Sequence, residues 1–111
     1  MAILIVDDST DHYALLRSIL TKAGHHQILG AESAQAAFSM LNVDGIQSAT
    51  DIDLILMDVL MPEIDGVQAC RRIKQQTHLR DIPIIMVTAK NDLENLHEAF
   101  TAGAMDYINK P

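Results

Sequence analysis

Five polar residues sit where apolar runs give out, and their chemistry is that of phosphate and hard cations. Asp7 and Asp8 follow Ile3–Val6, and Asp58 follows Leu54-Ile55-Leu56-Met57. Thr88 follows Met86-Val87, and Lys110 closes the last apolar run near Ile108. Three carboxylates brought close need compensation, which a divalent cation or Lys110 would supply. Oxygen-only ligation with open positions suits Mg²⁺, which keeps waters and binds through a few carboxylates plus a phosphate. Singly, each residue has a plain structural account, because strands end at the surface and Asp favours turns and caps. The joint pattern of a pair, a lone Asp, a Thr and a Lys at four strand ends is what points to a site. Asp51 and Asp53 make the contrast: they precede the third strand, on the opposite rim, and read as turn residues.

The elements that must position these groups alternate in period. Five short apolar runs, Ile3–Val6, Gln27–Gly30, Asp53–Met57, Pro83–Val87 and Met105–Ile108, read as strands. The first, third and fourth are continuous and rich in Ile, Val and Leu, as strands buried on both faces are. Between them the spacing is helical. Leu16, Ile19, Leu20 and Ala23 share one face, as do Ala34, Ala37, Phe38 and Leu41. Val67, Cys70 and Ile73 mark a third helix, and Leu93, Leu96 and Phe100 a fourth. Gly24, Gly45 and Gly103 stand where helices should stop, and Asp11, Ser33, Asp65 and Asp92 where they should start. The order β-α-β-α-β-α-β-α-β predicts an α/β fold, a parallel sheet with helices on both faces. In such sheets ligands bind beyond the carboxyl ends of the strands, where strand order reverses.

Composition narrows the classes. The chain has 111 residues, 49% of them hydrophobic, enough for one domain with a real core. A net charge of −7 argues against gripping nucleic acid. No apolar run approaches the roughly 18 residues of a membrane span. The start lacks a basic segment, and the single cysteine, Cys70, cannot form an internal disulfide, so a cytoplasmic setting is expected. The five histidines, His12, His25, His26, His78 and His97, show no metal-ligand spacing and map to helix surfaces or loops. No serine elbow, phosphate-cradling glycine loop or dinucleotide fingerprint is present. Cys70, on an apolar helix face, reads as an inert small hydrophobe.

Four stretches in order then carry a resemblance: Ile3 to Asp8, Met57 to Gly66, Ile85 to Ala89 and Ala102 to Pro111. Over essentially its whole length the chain resembles a CheY-like response regulator receiver, the phosphoacceptor domain of two-component signalling. The resemblance implies a flavodoxin-like, doubly wound sheet of strand order 2-1-3-4-5. It implies that Asp58 accepts a phosphoryl group from a histidine kinase or a phosphotransfer protein. Asp8, Asp58 and the carbonyl of Leu60 would hold Mg²⁺ or Mn²⁺, with Asp7 ligating directly or through water. Thr88 would bond one phosphoryl oxygen and Lys110 another, with the Lys110-Pro111 peptide cis. Tyr107 resembles the switch aromatic that turns inward once Thr88 is drawn to the phosphate. Leu60 and Lys90 occupy positions that tune phosphate lifetime, and a leucine there predicts a long-lived acyl phosphate.

The same resemblance leads one to expect a last helix after Ile108, for which the sequence has no residues. The expectation is therefore a receiver domain over 1–111 cut before that helix, from a longer protein with a fused or separate output, possible homodimerisation included. Three alternatives differ in class. A hybrid kinase or phosphorelay receiver keeps the same chemistry. A Mg²⁺-dependent aspartyl phosphatase needs a second acid where Leu60 stands. A scaffold pseudo-receiver does not need Asp7, Asp8, Asp58, Thr88 and Lys110 together. Beyond its own phosphorylation and dephosphorylation, no enzymatic activity is expected.

Overall fold

A computed structural model describes residues 1–43, 51–88 and 93–109, with the backbone alone at 93–96 and 109. The elements run β1 (Ala2–Val6), α1 (Thr10–Lys22), β2 (Gln27–Ala31), α2 (Ala34–Leu41) and β3 (Ile52–Asp58). They continue with α3 (Gly66–Lys74), a single 3₁₀ turn at Thr77–Leu79, β4 (Ile84–Thr88), α4 (Leu93–Ala102) and β5 (Asp106–Asn109). All strands pair in parallel, in the order β2-β1-β3-β4-β5. The expected doubly wound, flavodoxin-like fold is the observed one.

The continuous apolar runs are explained by the two faces. Alternate strand residues point to opposite sides, and here both sides are covered. Leu4, Val6, Ile55, Met57, Ile84 and Met86 join residues of α2, α3 and α4 in the larger core. Ile3, Ile5, Leu56 and Val87 join Leu16 and the half-buried Tyr13 and Leu20 of α1 in the smaller. Fully burying one such aliphatic side chain contributes about 1.5–3 kcal/mol. The central strands are thus held from both sides, and their carboxyl ends are fixed in space.

Several boundaries differ from the sequence reading. Ser9, not Asp11, caps α1: its hydroxyl accepts the His12 N–H at 3.3 Å, and Asp11 lies inside the first turn. Asp11 is one residue too late, because the cap must precede the first helical residue. Ser33 and Asp65 cap α2 and α3 as read, accepting from the N–H groups of Ala36 and Gln68. Helix α2 stops at Asn42, which takes the left-handed conformation at φ 54°. Gly24 and Gly103 do occupy positive φ, at 101° and 112°, just beyond α1 and α4. On α1, Ile19 is 48% exposed and Ala23 is exposed, since α1 alone covers its face among the described residues. Phe100, one of the residues whose spacing marks α4, is 46% exposed. It packs edge-to-face on Tyr107, ring centres 5.9 Å apart, rather than entering the core. Asp58 is the last residue of β3 rather than the residue after it, and Asp53 lies within β3 rather than in a turn. Gly45, Asp92 and the side chains of Leu93 and Leu96 lie outside the described residues.

Candidate functional site

The chain runs outward from β1 to β2 and then crosses back to place β3 on the other side of β1. Beyond the carboxyl ends of β1 and β3 the connections diverge, leaving a crevice between them. Register aligns the two strands so that Val6 lies opposite Met57. Asp7 and Asp58, each one residue further along, therefore emerge side by side. Asp7, Asp8 and Asp58 each offer a carboxylate oxygen within 4.8 Å of the others. Asp7 and Asp58 are buried, at 3% and 2% exposure, and Asp8 is exposed.

Local backbone bonds build this arrangement. The Asp7 N–H donates to the carbonyl of Ala31 on β2 at 3.0 Å, continuing the ladder past the strand. Oδ1 of Asp7 then accepts the Ser9 N–H at 2.9 Å, which turns the chain into α1. Oδ2 of Asp7 is buried and has no hydrogen-bond partner among the described residues. On the other side, Val59 N–H donates to the carbonyl of Val87 at 3.1 Å. Gly66 N–H donates to the carbonyl of Val59 at 2.8 Å, bringing the start of α3 down onto the loop after Asp58. A Cβ on Gly66 would lie 2.0 Å from the Asp58 carbonyl oxygen, so only glycine allows that approach. Burying like charges together is unfavourable unless a cation joins them. The donor set is all oxygen and partly buried, with one unspent carboxylate lone pair. It fits a divalent metal ion, which Asp7, Asp8 and Asp58 would hold.

The neighbouring candidates fall around this crevice. Asp58 lies opposite Val87, so Thr88 ends β4 one step further along; it is buried at 2% exposure. Leu60 is 59% exposed on the loop past Asp58. Tyr107 lies opposite Met86 on β5, with its ring at the surface against Phe100. Lys90, Lys110 and Pro111 lie outside the described residues.

Three contributors were not read from sequence. Ser9 supplies the backbone donor that fixes Asp7, and Gly66 supplies the space for α3. His12 is the third: it was placed on a helix surface, yet it is half-buried, with Nδ1 3.8 Å from Oδ2 of Asp7. The signal for Ser9 was its place three residues before His12, ahead of a helical run. That for Gly66 was a glycine directly after a capping Asp. For His12 there was none, because its approach depends on where α1 enters.

Fold and site together define a doubly wound α/β module with a carboxylate centre at its switch point. Residues 3–111 match the response regulator receiver domain family. The chain is 38% identical over 109 residues to a probable cyclic di-GMP phosphodiesterase of Vibrio cholerae, covering 98% of this chain and 23% of that protein. The chain thus spans about a quarter of that relative's length. Among solved structures, the signal receiver domain of a signal transduction histidine kinase from Syntrophus aciditrophicus is 37% identical with a TM-score of 0.83, covering 99% of this chain and 78% of that one. The Mn²⁺-bound form of response regulator Rcp1 is 25% identical with a TM-score of 0.84, covering 99% and 81%. The chain belongs to the CheY-like response regulator receiver family of two-component signalling. Receivers of this kind are typically non-enzymatic phosphoacceptors.

Proposed function

We propose that Asp58 is the phosphoacceptor of this receiver and that it takes its phosphoryl group from a histidine kinase or phosphotransfer protein. The observation that carries this reading is the convergence of Asp7, Asp8 and Asp58 within 4.8 Å at the switch point of the sheet. Attack by an Asp58 oxygen on phosphorus forms an acyl phosphate, and the phosphohistidine nitrogen leaves with the bonding pair. Phosphoryl transfer is helped chiefly by positioning and by neutralising charge. Asp7, Asp8, Asp58 and the Leu60 carbonyl would hold the divalent ion that supplies that neutralisation. The Mn²⁺-bound relative supports a metal here. Thr88 donates its hydroxyl to one phosphoryl oxygen, and Lys110 pairs with another. The new bonds bias Thr88 and Tyr107 toward a second packing, a population shift that alters the surface around Tyr107. Leu60 and Lys90 match the positions that tune phosphate lifetime in receivers, and Leu60 offers an attacking water no side-chain hydrogen bond, which favours a long-lived acyl phosphate. Residues 1–111 act as one cytoplasmic receiver domain, with output from a fused or separate partner. A receiver within a hybrid kinase is the second reading, favoured by the 37% identity to a histidine kinase receiver domain.

The test is phosphorylation by a small phosphodonor with Mg²⁺, followed by phosphate-affinity electrophoresis. Wild-type protein should shift, and Asp58→Asn should lose the shift entirely. Metal-dependent labelling of Asp58→Asn at the wild-type rate refutes the assignment.

A further inference from the structure

We infer that the cavity between the start of α1 and the end of β2 is a binding site for a guanidinium group, with Glu32 as its ion-pair partner, the Tyr13 ring as its wall and the buried charge of Asp7 beneath. The site is separate from phosphoryl acceptance and does not depend on it. The cavity measures about 210 Å³ and is lined by Asp7, Thr10, Tyr13, Gly30, Ala31 and Glu32. A cavity of roughly 150 Å³ already admits a benzene molecule, so a small planar cation has room. Asp7 and Ala31 are buried, Tyr13 is half-buried, and Thr10, Gly30 and Glu32 are exposed. The space therefore has a closed floor and an open mouth. Its floor is fixed by β1 and β2: Val6 lies opposite Ala31, and the Asp7 N–H donates to the Ala31 carbonyl at 3.0 Å. Its far wall is α1, where Thr10 and Tyr13 share one face. A Cβ on Gly30 would fall 2.5 Å from Cε1 and 2.9 Å from Cζ of Tyr13. The ring thus rests against bare backbone, and a larger residue at position 30 would push this wall out of place.

Charge selects the sign of the ligand, and the walls select its kind. Two acidic residues and no basic one line the cavity. Oδ2 of Asp7 is buried without a hydrogen-bond partner among the described residues, with Nδ1 of His12 standing 3.8 Å away. Asp7 is only 3% exposed, so bulk water does little to screen its charge. Tyr13, Gly30 and Ala31 add apolar surface, which a strongly hydrated metal ion does not use. Such an ion is better served by the three carboxylates of Asp7, Asp8 and Asp58, within 4.8 Å of one another. A guanidinium group is planar and weakly hydrated, and it stacks on aromatic rings while its N–H groups bond a carboxylate as a fork. Glu32 stands at the mouth to accept that fork, and the Thr10 hydroxyl offers a further acceptor. An ammonium, compact and strongly hydrated, suits these walls less well. The guanidinium can belong to a free small molecule or to an arginine side chain, and two probes tell these apart.

The experiment is an amide NMR titration of the whole chain with ethylguanidinium chloride and with N-acetyl-arginine amide, against ethylammonium chloride and NaCl at matched ionic strength. Saturable shifts should centre on Thr10, Tyr13, Gly30 and Glu32, and ethylammonium should bind more weakly than ethylguanidinium. Glu32→Gln, at an exposed position that leaves the fold intact, should weaken ethylguanidinium on the order of twofold to fivefold, the size of a lost exposed ion pair. Tyr13→Leu should weaken it by a similar factor through loss of the ring. Saturation by ethylguanidinium alone supports a site for a free small molecule, and saturation by both probes supports a site for an arginine side chain. Shifts that NaCl reproduces, or shifts centred on Asp8, Asp58 and Thr88, overturn the site. So does an ethylguanidinium affinity that neither variant changes.

Discussion

Asp53 and Asp7 are aspartates at opposite rims of the same sheet, and the fold treats them oppositely. The Asp53 carboxylate accepts the Ala2 N–H at 2.9 Å, which ties the start of β1 to β3. Lys74, the last residue of α3, is treated likewise: its ammonium donates to the carbonyls of Arg80, at 2.9 Å, and Ile82. At the carboxyl edge, Asp7 keeps one buried oxygen without a hydrogen-bond partner among the described residues, close to two more carboxylates. Charged groups at the first rim and at the end of α3 are consumed in holding the fold. Those at the second are held by the fold, against their own repulsion, for something that brings positive charge.

The sharpest way to break this comparison is to strain the frame of the functional edge. Gly66→Ala places a Cβ 2.0 Å from the Asp58 carbonyl oxygen, and backbone cannot swing aside. A loss of about 3 kcal/mol or more is expected in urea denaturation, of the size that overpacking against a rigid neighbour gives. Gly30→Ala is the companion: the nearest atoms its Cβ would meet are in the Tyr13 ring, from 2.5 Å, a side chain that can turn away. It should cost clearly less. Equal stabilities for the two variants would show that α3 does not rest on the Asp58 backbone.

A smaller effect tests the contrast of the two aspartates directly, because the signs differ. Asp7→Asn keeps an oxygen for the Ser9 N–H and removes one charge from the cluster, so without metal it should stabilise the fold by about 1 kcal/mol at low salt. Salt should shrink that gain. Asp53→Ala removes a strand-to-strand bond and should destabilise by about 1 kcal/mol. Saturating Mg²⁺ should then reverse the order of wild type and Asp7→Asn. An ion at a hundred times its Kd adds about 2.7 kcal/mol to the state that binds it. If thermal melts show Asp7→Asn less stable than wild type without metal, the carboxylates are not in conflict.

What was legible in the sequence follows the same division. Strand and helix order could be read because burial on two faces writes continuous apolar runs at Ile3–Val6 and Pro83–Val87, a one-dimensional signal. The carboxylate cluster was legible because β1 and β3 each end in Asp, and adjacency of those strands is a rule of the topology. Phe100 marked its helix correctly, but helical spacing does not say whether a face meets the core or a surface partner such as Tyr107. Asp53 was taken for a turn residue because its bond to Ala2 spans 51 positions. His12 escaped for the same reason of distance: its meeting with Asp7 depends on the entry angle of α1.

Cys70 adds a third treatment of an ionisable group and the smallest effect, one that changes only at alkaline pH. It is fully buried in α3, its sulfur 3.8 Å from the carbonyl oxygen of Ala102. Burial pushes the thiol from the ordinary 9.0 up to about 11, against a smaller opposite pull from Lys74 and Arg71. The folded state therefore keeps a proton that the unfolded chain releases above pH 9. The sign follows: this contribution to stability is fully present below pH 9 and is lost as pH rises toward 11. Cys70→Ala should flatten that part of the stability–pH curve, by an amount read as the difference between the two denaturation profiles. Native protein should also resist iodoacetamide at pH 8 and react once urea unfolds it. Rapid alkylation of the folded chain would place Cys70 with Asp7, among groups the fold leaves available, instead of with those it has closed off.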